Sequence, residues 1–278
     1  MDDFELSFFD KQRQMELDDI ICKILFLHTP MLYSNTNGLN GVASSLYIKY
    51  LGKEFLITVG HIFPENEIIN IYIALVNISL SNLSKGMIFL PPNDQNDYHE
   101  MDYSIFFIDD DISKQLKVFY TPILIDESIK KTRMNFFQYI VFGFPEKKNR
   151  FNPRKNSKII PSYLCLRLPR TEFNIDTTNK NHNIILDFNK KNAIETKNIK
   201  STITQTIPQL NGMSGCGIWA IPSYPLDFDG YLLAGMLVNS DNCTKVIGFD
   251  IYDIIQMLDI VMEEYPKSKT TGIVVSKI

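Results

Sequence analysis

Residues 41–61 read Gly41-Val42-Ala43-Ser44-Ser45-Leu46-Tyr47-Ile48-Lys49-Tyr50-Leu51-Gly52-Lys53-Glu54-Phe55-Leu56-Ile57-Thr58-Val59-Gly60-His61. β-Branched and aromatic residues dominate both ends of this stretch. Leu51-Gly52-Lys53-Glu54 supplies turn chemistry between them. The pattern predicts a hairpin, with Ala43–Tyr50 and Phe55–Val59 as its strands. The second strand delivers a histidine at its end.

Outward from this hairpin the same texture continues. Short apolar runs at Ile68–Val76, Met87–Leu90, Tyr103–Ile108 and Gln138–Phe144 read as strands, as do Ser162–Leu168, Ile184–Phe188, Gly217–Ile221, Tyr231–Val238 and Thr244–Phe249. Polar loops separate them, among them Pro91–Met101 and the stretch FNIDTTNKNHN ahead of Ile184. The basic, Asn-rich segment 146–158 reads as a solvated loop. Many short strands with turn signals predict an all-β barrel or sandwich. Helical spacing is confined to the two ends. Leu17, Ile20, Ile21 and Ile24 mark a helix over 10–27, stopped by Thr29-Pro30. Ile254, Ile255, Leu258, Val261 and Met262 mark another over 251–264.

Residues 109–135 carry several charges and read as the join between two halves. The organisation expected is a helical extension over 1–29, a first β unit over 30–125, a second over 126–250, and a C-terminal helix and tail over 251–278.

Composition narrows the function classes. The 278 residues carry a net charge of −4, which is no basic footprint for nucleic acid. Apolar stretches such as Ile20–Leu27 fall far short of the ~20 residues that cross a bilayer, so no membrane partner is expected. The acidic opening MDDFELSFFD has no signal-peptide pattern, which predicts a cytoplasmic protein, with delivery as an effector left open. Cys22, Cys165, Cys216 and Cys243 are scattered and read as thiols in a reducing compartment. His28, His61, His99 and His182 have no metal-ligand spacing, so neither a metal nor another cofactor is expected.

Three segments carry chemistry. Thr58-Val59-Gly60-His61 closes a strand. Met101-Asp102-Tyr103-Ser104-Ile105 puts an aspartate at the start of one. Asn211-Gly212-Met213-Ser214-Gly215-Cys216-Gly217-Ile218-Trp219 sets a serine among glycines before another. Each is commonplace alone, because a strand-end histidine is usually structural and an aspartate there is usually a cap. The order His, Asp, Ser is that of the chymotrypsin triad.

With these segments the chain resembles the trypsin-like (chymotrypsin-fold) serine peptidases. Gly41–Leu46 with Phe55–His61 is similar to that family's strand pair leading to the catalytic histidine. Asp102-Tyr103-Ser104-Ile105 is similar to its aspartate motif, and Val141-Phe142-Gly143-Phe144-Pro145 to the strand opening its second barrel. Gly212-Met213-Ser214-Gly215 is similar to its nucleophile motif, and Leu233-Ala234-Gly235-Met236 to the strand after it. The resemblance covers about residues 30–265. It implies an all-β, chymotrypsin-like double β-barrel, here with an N-terminal and a C-terminal helix.

The implied activity is that of a serine endopeptidase working through an acyl-enzyme on a narrow range of protein or peptide substrates. Ser214 would be the nucleophile, His61 its base, and Asp102 the carboxylate that holds the imidazole. The backbone N–H groups of Gly212 and Ser214 would form the oxyanion hole. The primary pocket would have Pro208 at its base and Val238, Asn239 and Ser240 along its wall, with Gly248 at the back. Pro208 is not an acid, so an uncharged side chain is expected there, although Asp241 and Asp250 lie close in sequence. Asp97 or Asp109 is the carboxylate that would do the orienting if Asp102 did not.

The departures from the pattern are specific. Met213 replaces the aspartate that usually precedes the nucleophile, so the ion pair made by zymogen trimming has no acceptor here. How the oxyanion hole is formed is then open, and an activating protein partner is one route. Cys216 lies two residues past the nucleophile slot and reads as a small buried residue. The competing reading is a catalytically silent copy of the fold that serves as a protein-binding module.

Overall fold

A computed structural model describes residues 19–34, 39–63, 70–83, 102–125, 138–151, 161–169, 183–188, 194–195, 210–221, 232–241 and 245–264. The predicted strand Met87–Leu90, the loop Pro91–Met101, the FNIDTTNKNHN loop up to residue 182, His99, His182, Cys243, Asp97 and Pro208 lie outside them. The described residues are mostly β, with strands making up 47% of them.

The chain enters through helix α1 (19–28). Then follow β1 (Met31–Ser34), β2 (Leu39–Ser44), β3 (Leu46–Tyr50), β4 (Lys53–Thr58), β5 (Ile71–Ile73), β6 (Ile78–Ser79), the short α2 (Leu80–Leu83), β7 (Ser104–Ile108), α3 (Asp110–Leu116) and β8 (Ile123–Ile125). The second half supplies β9 (Gln138–Gly143), a 3-10 turn (Glu146–Lys148), β10 (Arg150–Phe151), β11 (Leu164–Pro169), β12 (Asn183–Asp187) and β13 (Ile194–Glu195). It closes with β14 (Gly217–Ile221), β15 (Leu232–Asp241), β16 (Lys245–Asp250) and α4 (Ile251–Glu264).

Three sheets result. One has the order β10-β2-β1-β5-β6, one β7-β4-β3-β8, and the largest β12-β16-β15-β14-β9-β11-β13. Six strands curl into a half-barrel. The hairpin β3–β4 forms where the sequence puts it, with Tyr50 opposite Lys53 across Leu51-Gly52.

The predicted single strand Ala43–Tyr50 is in fact two strands in different sheets. Ser45 is the break. Its N–H and its Oγ both donate to Pro30 O, at 2.9 and 2.8 Å. Two bonds to one distant carbonyl turn the chain from one sheet into the next, and no residue pattern announces them. Residues 109–125 are likewise more than a connection. Asp109 caps α3 by accepting from the N–H groups of Asp111 and Ile112, and β8 pairs parallel with β3. Across the halves, β10 comes from the second and pairs with β2 of the first.

The strands are buried on both faces, which is why they read as apolar runs rather than as alternation. Tyr47 of β3, Leu56 of β4 and Phe106 of β7 point into a first core. Tyr139 and Val141 of β9 join Leu164, Leu186 and Ile218 in another. The residues between them point the other way, into a third core between the halves. There Leu46, Ile48, Phe55, Ile57 and Ile105 meet Ile140, Phe142, Trp219, Met236 and Phe249.

Both helices close this shared core. From α4 come Ile254, Ile255, Leu258 and Val261, as their spacing predicts. From α1 come Ile21, Cys22 and Leu25, while Ile20 and Ile24 face outward. The buried stripe is therefore rotated from the predicted one, because α1 docks against Phe144 and Tyr163, which Phe26 meets edge-on. No described helix is long and apolar enough to cross a membrane.

Candidate functional site

Sheet register brings the first two candidate residues together. β4 and β7 run antiparallel with Thr58 opposite Ser104, so His61 and Asp102 lie just beyond neighbouring strand ends. His61 sits in a turn closed by Phe63 N–H on Gly60 O at 3.1 Å. Its backbone N–H donates to Asp102 Oδ1 at 2.8 Å, and its Nδ1 bonds Asp102 Oδ2. A carboxylate only accepts, so Nδ1 carries the proton and Nε2 keeps its lone pair. The imidazole is 44% exposed and the carboxylate 13%, so the pair opens to solvent on the imidazole side only. Tyr103 packs edge-on against Phe249 at 5.9 Å, which anchors the aspartate's strand to the second half. Asp109 is occupied as the α3 cap.

Ser214 lies in a turn between Leu210 and β14. Gly212 and Gly215 hold φ +84° and +85° there, in the left-handed region that glycine enters at no steric cost. Both also allow close approach. A Cβ on Gly212 would fall 2.6 Å from Glu146 N, and one on Gly215 only 2.2 Å from Ser44 O. Met213 is fully buried in the second-half core with Val141, Leu164 and Cys216. Met213 thus anchors the turn by apolar packing rather than by an ion pair.

The N–H groups of the turn fall into two sets. Met213 N–H donates to Leu210 O at 2.9 Å, Gly215 N–H to Leu237 O at 2.7 Å and Cys216 N–H to Met213 O at 3.0 Å. Among the described residues the N–H groups of Gly212 and Ser214 donate to no acceptor. Their peptide planes are nevertheless set. Asn211 O accepts from Glu146 N–H at 2.7 Å, and Met213 O accepts from Cys216 N–H. In a trans peptide the N–H points opposite to its C=O, so these two bonds turn the Gly212 and Ser214 N–H groups away from the packed side of the turn.

Ser44 and Thr58 connect this turn to the histidine's strand. Ser44 N–H donates to Ser214 O at 2.9 Å, and Thr58 Oγ1 donates to Ser44 O at 2.7 Å. Thr58 is three residues before His61. The serine's turn and the histidine's strand are therefore joined through one backbone position. Among the described residues no hydrogen bond joins Ser214 Oγ to His61 Nε2.

The pocket residues are placed unevenly. Val238 is buried at an irregularity of β15, between Leu237 and Asn239. Asn239 is exposed, and its Oδ1 accepts from Ser240 N–H at 2.7 Å. Gly248 lies opposite Leu237, with Ile218 Cδ1 and Met236 O filling the space a side chain would take. Asp250 accepts from Tyr252 N–H at the start of α4. Cys216 is fully buried, and burial pushes its thiol well above the ordinary range, which suits a packing residue rather than a nucleophile. Ser44, whose hydrogen bonds reach the Ser214 turn, is singled out by nothing in the sequence. A serine at a strand end carries no signal that its neighbours lie about 100 and 170 residues away.

Compared with known proteins, the chain matches no protein-family model and no curated protein.

Proposed function

We propose that this chain is a serine endopeptidase of the trypsin-like kind, with Ser214 as nucleophile, His61 as base and Asp102 as the carboxylate that orients it. The observation that carries the reading is the Ser214 turn. Among the described residues the N–H groups of Gly212 and Ser214, like that of exposed Asn211, meet no acceptor, while those of Met213, Gly215 and Cys216 are spent on carbonyls. A turn that served packing alone would have no reason to leave the donors of buried Gly212 and half-buried Ser214 unused. The tautomer imposed by Asp102 supports the same reading, since it leaves Nε2 able to accept a proton.

The mechanism follows from these groups. His61 Nε2 takes the Ser214 proton as Oγ attacks the scissile carbonyl. Asp102 stabilises the imidazolium that forms. The oxyanion receives the Gly212 and Ser214 N–H groups, each worth about 3–4 kcal/mol in such a site. His61 then protonates the leaving amine, and water reverses the sequence on the acyl-enzyme. No step draws on a metal or another cofactor.

The two-barrel architecture is part of this proposal, with the second half bearing the serine and the first half bearing His61 and Asp102. So are a narrow protein or peptide substrate range, an uncharged side chain in the pocket, an activating protein partner and a cytoplasmic site of action.

One observation favours the second reading, a protein-binding module without catalysis. Ser214 Oγ and His61 Nε2 are not hydrogen-bonded among the described residues, although such bonds often tighten only once substrate is bound. Labelling with a fluorophosphonate probe, read by intact mass, decides between the two. The proposal expects one adduct on the wild type and none on Ser214→Ala. Equal adducts on both proteins overturn the assignment of Ser214, and no adduct on either supports the binding module.

A further inference from the structure

The buried side chain that the proposed mechanism does not use, yet which touches the nucleophile turn at the most points, is Ser44. It is fully buried at the end of β2. Its Oγ accepts from Phe144 N–H at 2.9 Å and donates to Gly212 O at 3.3 Å. Its N–H donates to Ser214 O at 2.9 Å. One residue of the first half thus holds the carbonyl of the residue on each side of Met213.

These carbonyls decide where the neighbouring N–H groups point. The peptide joining Gly212 to Met213 has its oxygen on Ser44 Oγ and its N–H on Leu210 O. The peptide joining Ser214 to Gly215 has its oxygen on Ser44 N–H and its N–H on Leu237 O. The peptide between them contributes the Ser214 N–H. With both flanking planes fixed, the middle one can turn only by a flip about its own ends, which breaks the Cys216 N–H bond to Met213 O. Gly212, at φ +84°, is the residue most free to let its peptide flip, and the Ser44 hydroxyl is attached to its carbonyl.

We propose that Ser44 is a positioning residue whose hydroxyl locks the Gly212–Met213 peptide and so keeps the Gly212 and Ser214 N–H groups turned toward substrate. This rests on the proposed serine-hydrolase reading of the same site. It places the device that forms the oxyanion hole in the first half of the chain, where the second half docks. It also supplies what Met213 cannot, because an apolar side chain holds the turn in place without fixing the rotation of its peptide planes.

The test compares Ser44→Ala with Ser45→Ala. Ser45 is the neighbouring residue, is equally buried, and also donates its Oγ to a carbonyl, but that carbonyl is Pro30 O, away from the turn. Ser44→Ala loses two hydrogen bonds of a buried hydroxyl and Ser45→Ala one, so a general loss of stability appears in both and is larger in Ser44→Ala. Two readouts separate them. The first is fluorophosphonate inactivation split into probe affinity and the limiting rate. Ser44→Ala should lower the limiting rate by about tenfold with affinity unchanged, while Ser45→Ala matches the wild type. The second is the backbone amide NMR shifts of Gly212, Met213 and Ser214, which should move in Ser44→Ala alone. Unmoved amides in Ser44→Ala overturn the inference, as does a limiting rate equal to that of Ser45→Ala. A wild type that takes no label overturns the hydrolase reading instead, and the amide shifts then decide the role of Ser44 by themselves.

Discussion

Asp102 holds His61 at two points, taking the backbone N–H on Oδ1 at 2.8 Å and the ring Nδ1 on Oδ2. The two contacts fix both the position of the residue and the orientation of its ring. The backbone contact alone would leave the imidazole free to turn.

That geometry makes Asp102→Asn informative. The asparagine oxygen keeps the His61 N–H, so the amide nitrogen is left facing Nδ1. Nδ1 must then lose its proton, which moves to Nε2. The limiting rate of fluorophosphonate labelling should fall by about four orders of magnitude with the fold intact. Imidazole nitrogen shifts would report the reversed tautomer, and a variant labelled at a near-normal rate would assign the orienting role elsewhere.

Gly215→Ala should be costly. The residue sits at φ +85°, and the added carbon would fall 2.2 Å from Ser44 O and 2.5 Å from Thr58 Oγ1. The left-handed backbone alone costs about 1–2 kcal/mol, and the backbone clash adds to it. Urea unfolding should show a loss of about 3 kcal/mol or more. A loss under 1 kcal/mol would mean that the turn and β2 are not packed this tightly.

Met213 separates packing from charge. Met213→Leu should stay within about 1.5 kcal/mol of the wild type, as volume-conserving core changes do. Met213→Ala should lose about 2–5 kcal/mol. Met213→Asp would bury a carboxylate among Val141, Leu164 and Cys216 and should fail to fold. Thermal unfolding of the three variants orders them, and a stable Met213→Asp protein would reveal a cation near the turn.

Glu54 predicts an acid limb of stability. Burial pulls its carboxyl pKa up, but hydrogen bonds from Lys117, Tyr47 and Ser113 outweigh burial, and the net displacement from 4.5 is downward. The unfolded chain therefore takes up the proton first. The stabilisation is complete above the unfolded value and is lost as pH falls through the lower folded value. Lys117 is 46% exposed, so solvent screens its ion pair with Glu54 and its share is about 1 kcal/mol. Glu54→Gln should flatten the stability profile below about pH 5, measured as urea midpoints across that range. An unchanged acid slope would assign it to other carboxylates.

The hairpin, the C-terminal helix and most strands of the second half are legible in the residues because each has a local period. Tyr50 and Lys53 pair across a Leu-Gly turn, and Ile254, Ile255, Leu258 and Val261 repeat at helical spacing. The residues proposed for chemistry are legible for a related reason. A strand-end histidine, a strand-start aspartate and a serine between glycines each have a local backbone setting, and their order in the chain is visible without coordinates.

Three-dimensional packing decided the rest. The face of α1 that is buried depends on Phe144 and Tyr163, which α1 meets only after folding. The break at Ser45 depends on the Pro30 carbonyl. The standing of Ser44 depends on Phe144, Gly212 and Ser214, contributed from far along the chain. The sequence by itself determined the β class, the terminal helices and the residue types at the site, since local periodicity and turn chemistry encode them. Only the tertiary structure decided which peptide groups of the Ser214 turn are spent and which are left unspent. A hydrogen bond between residues about 170 positions apart has no signature in either neighbourhood.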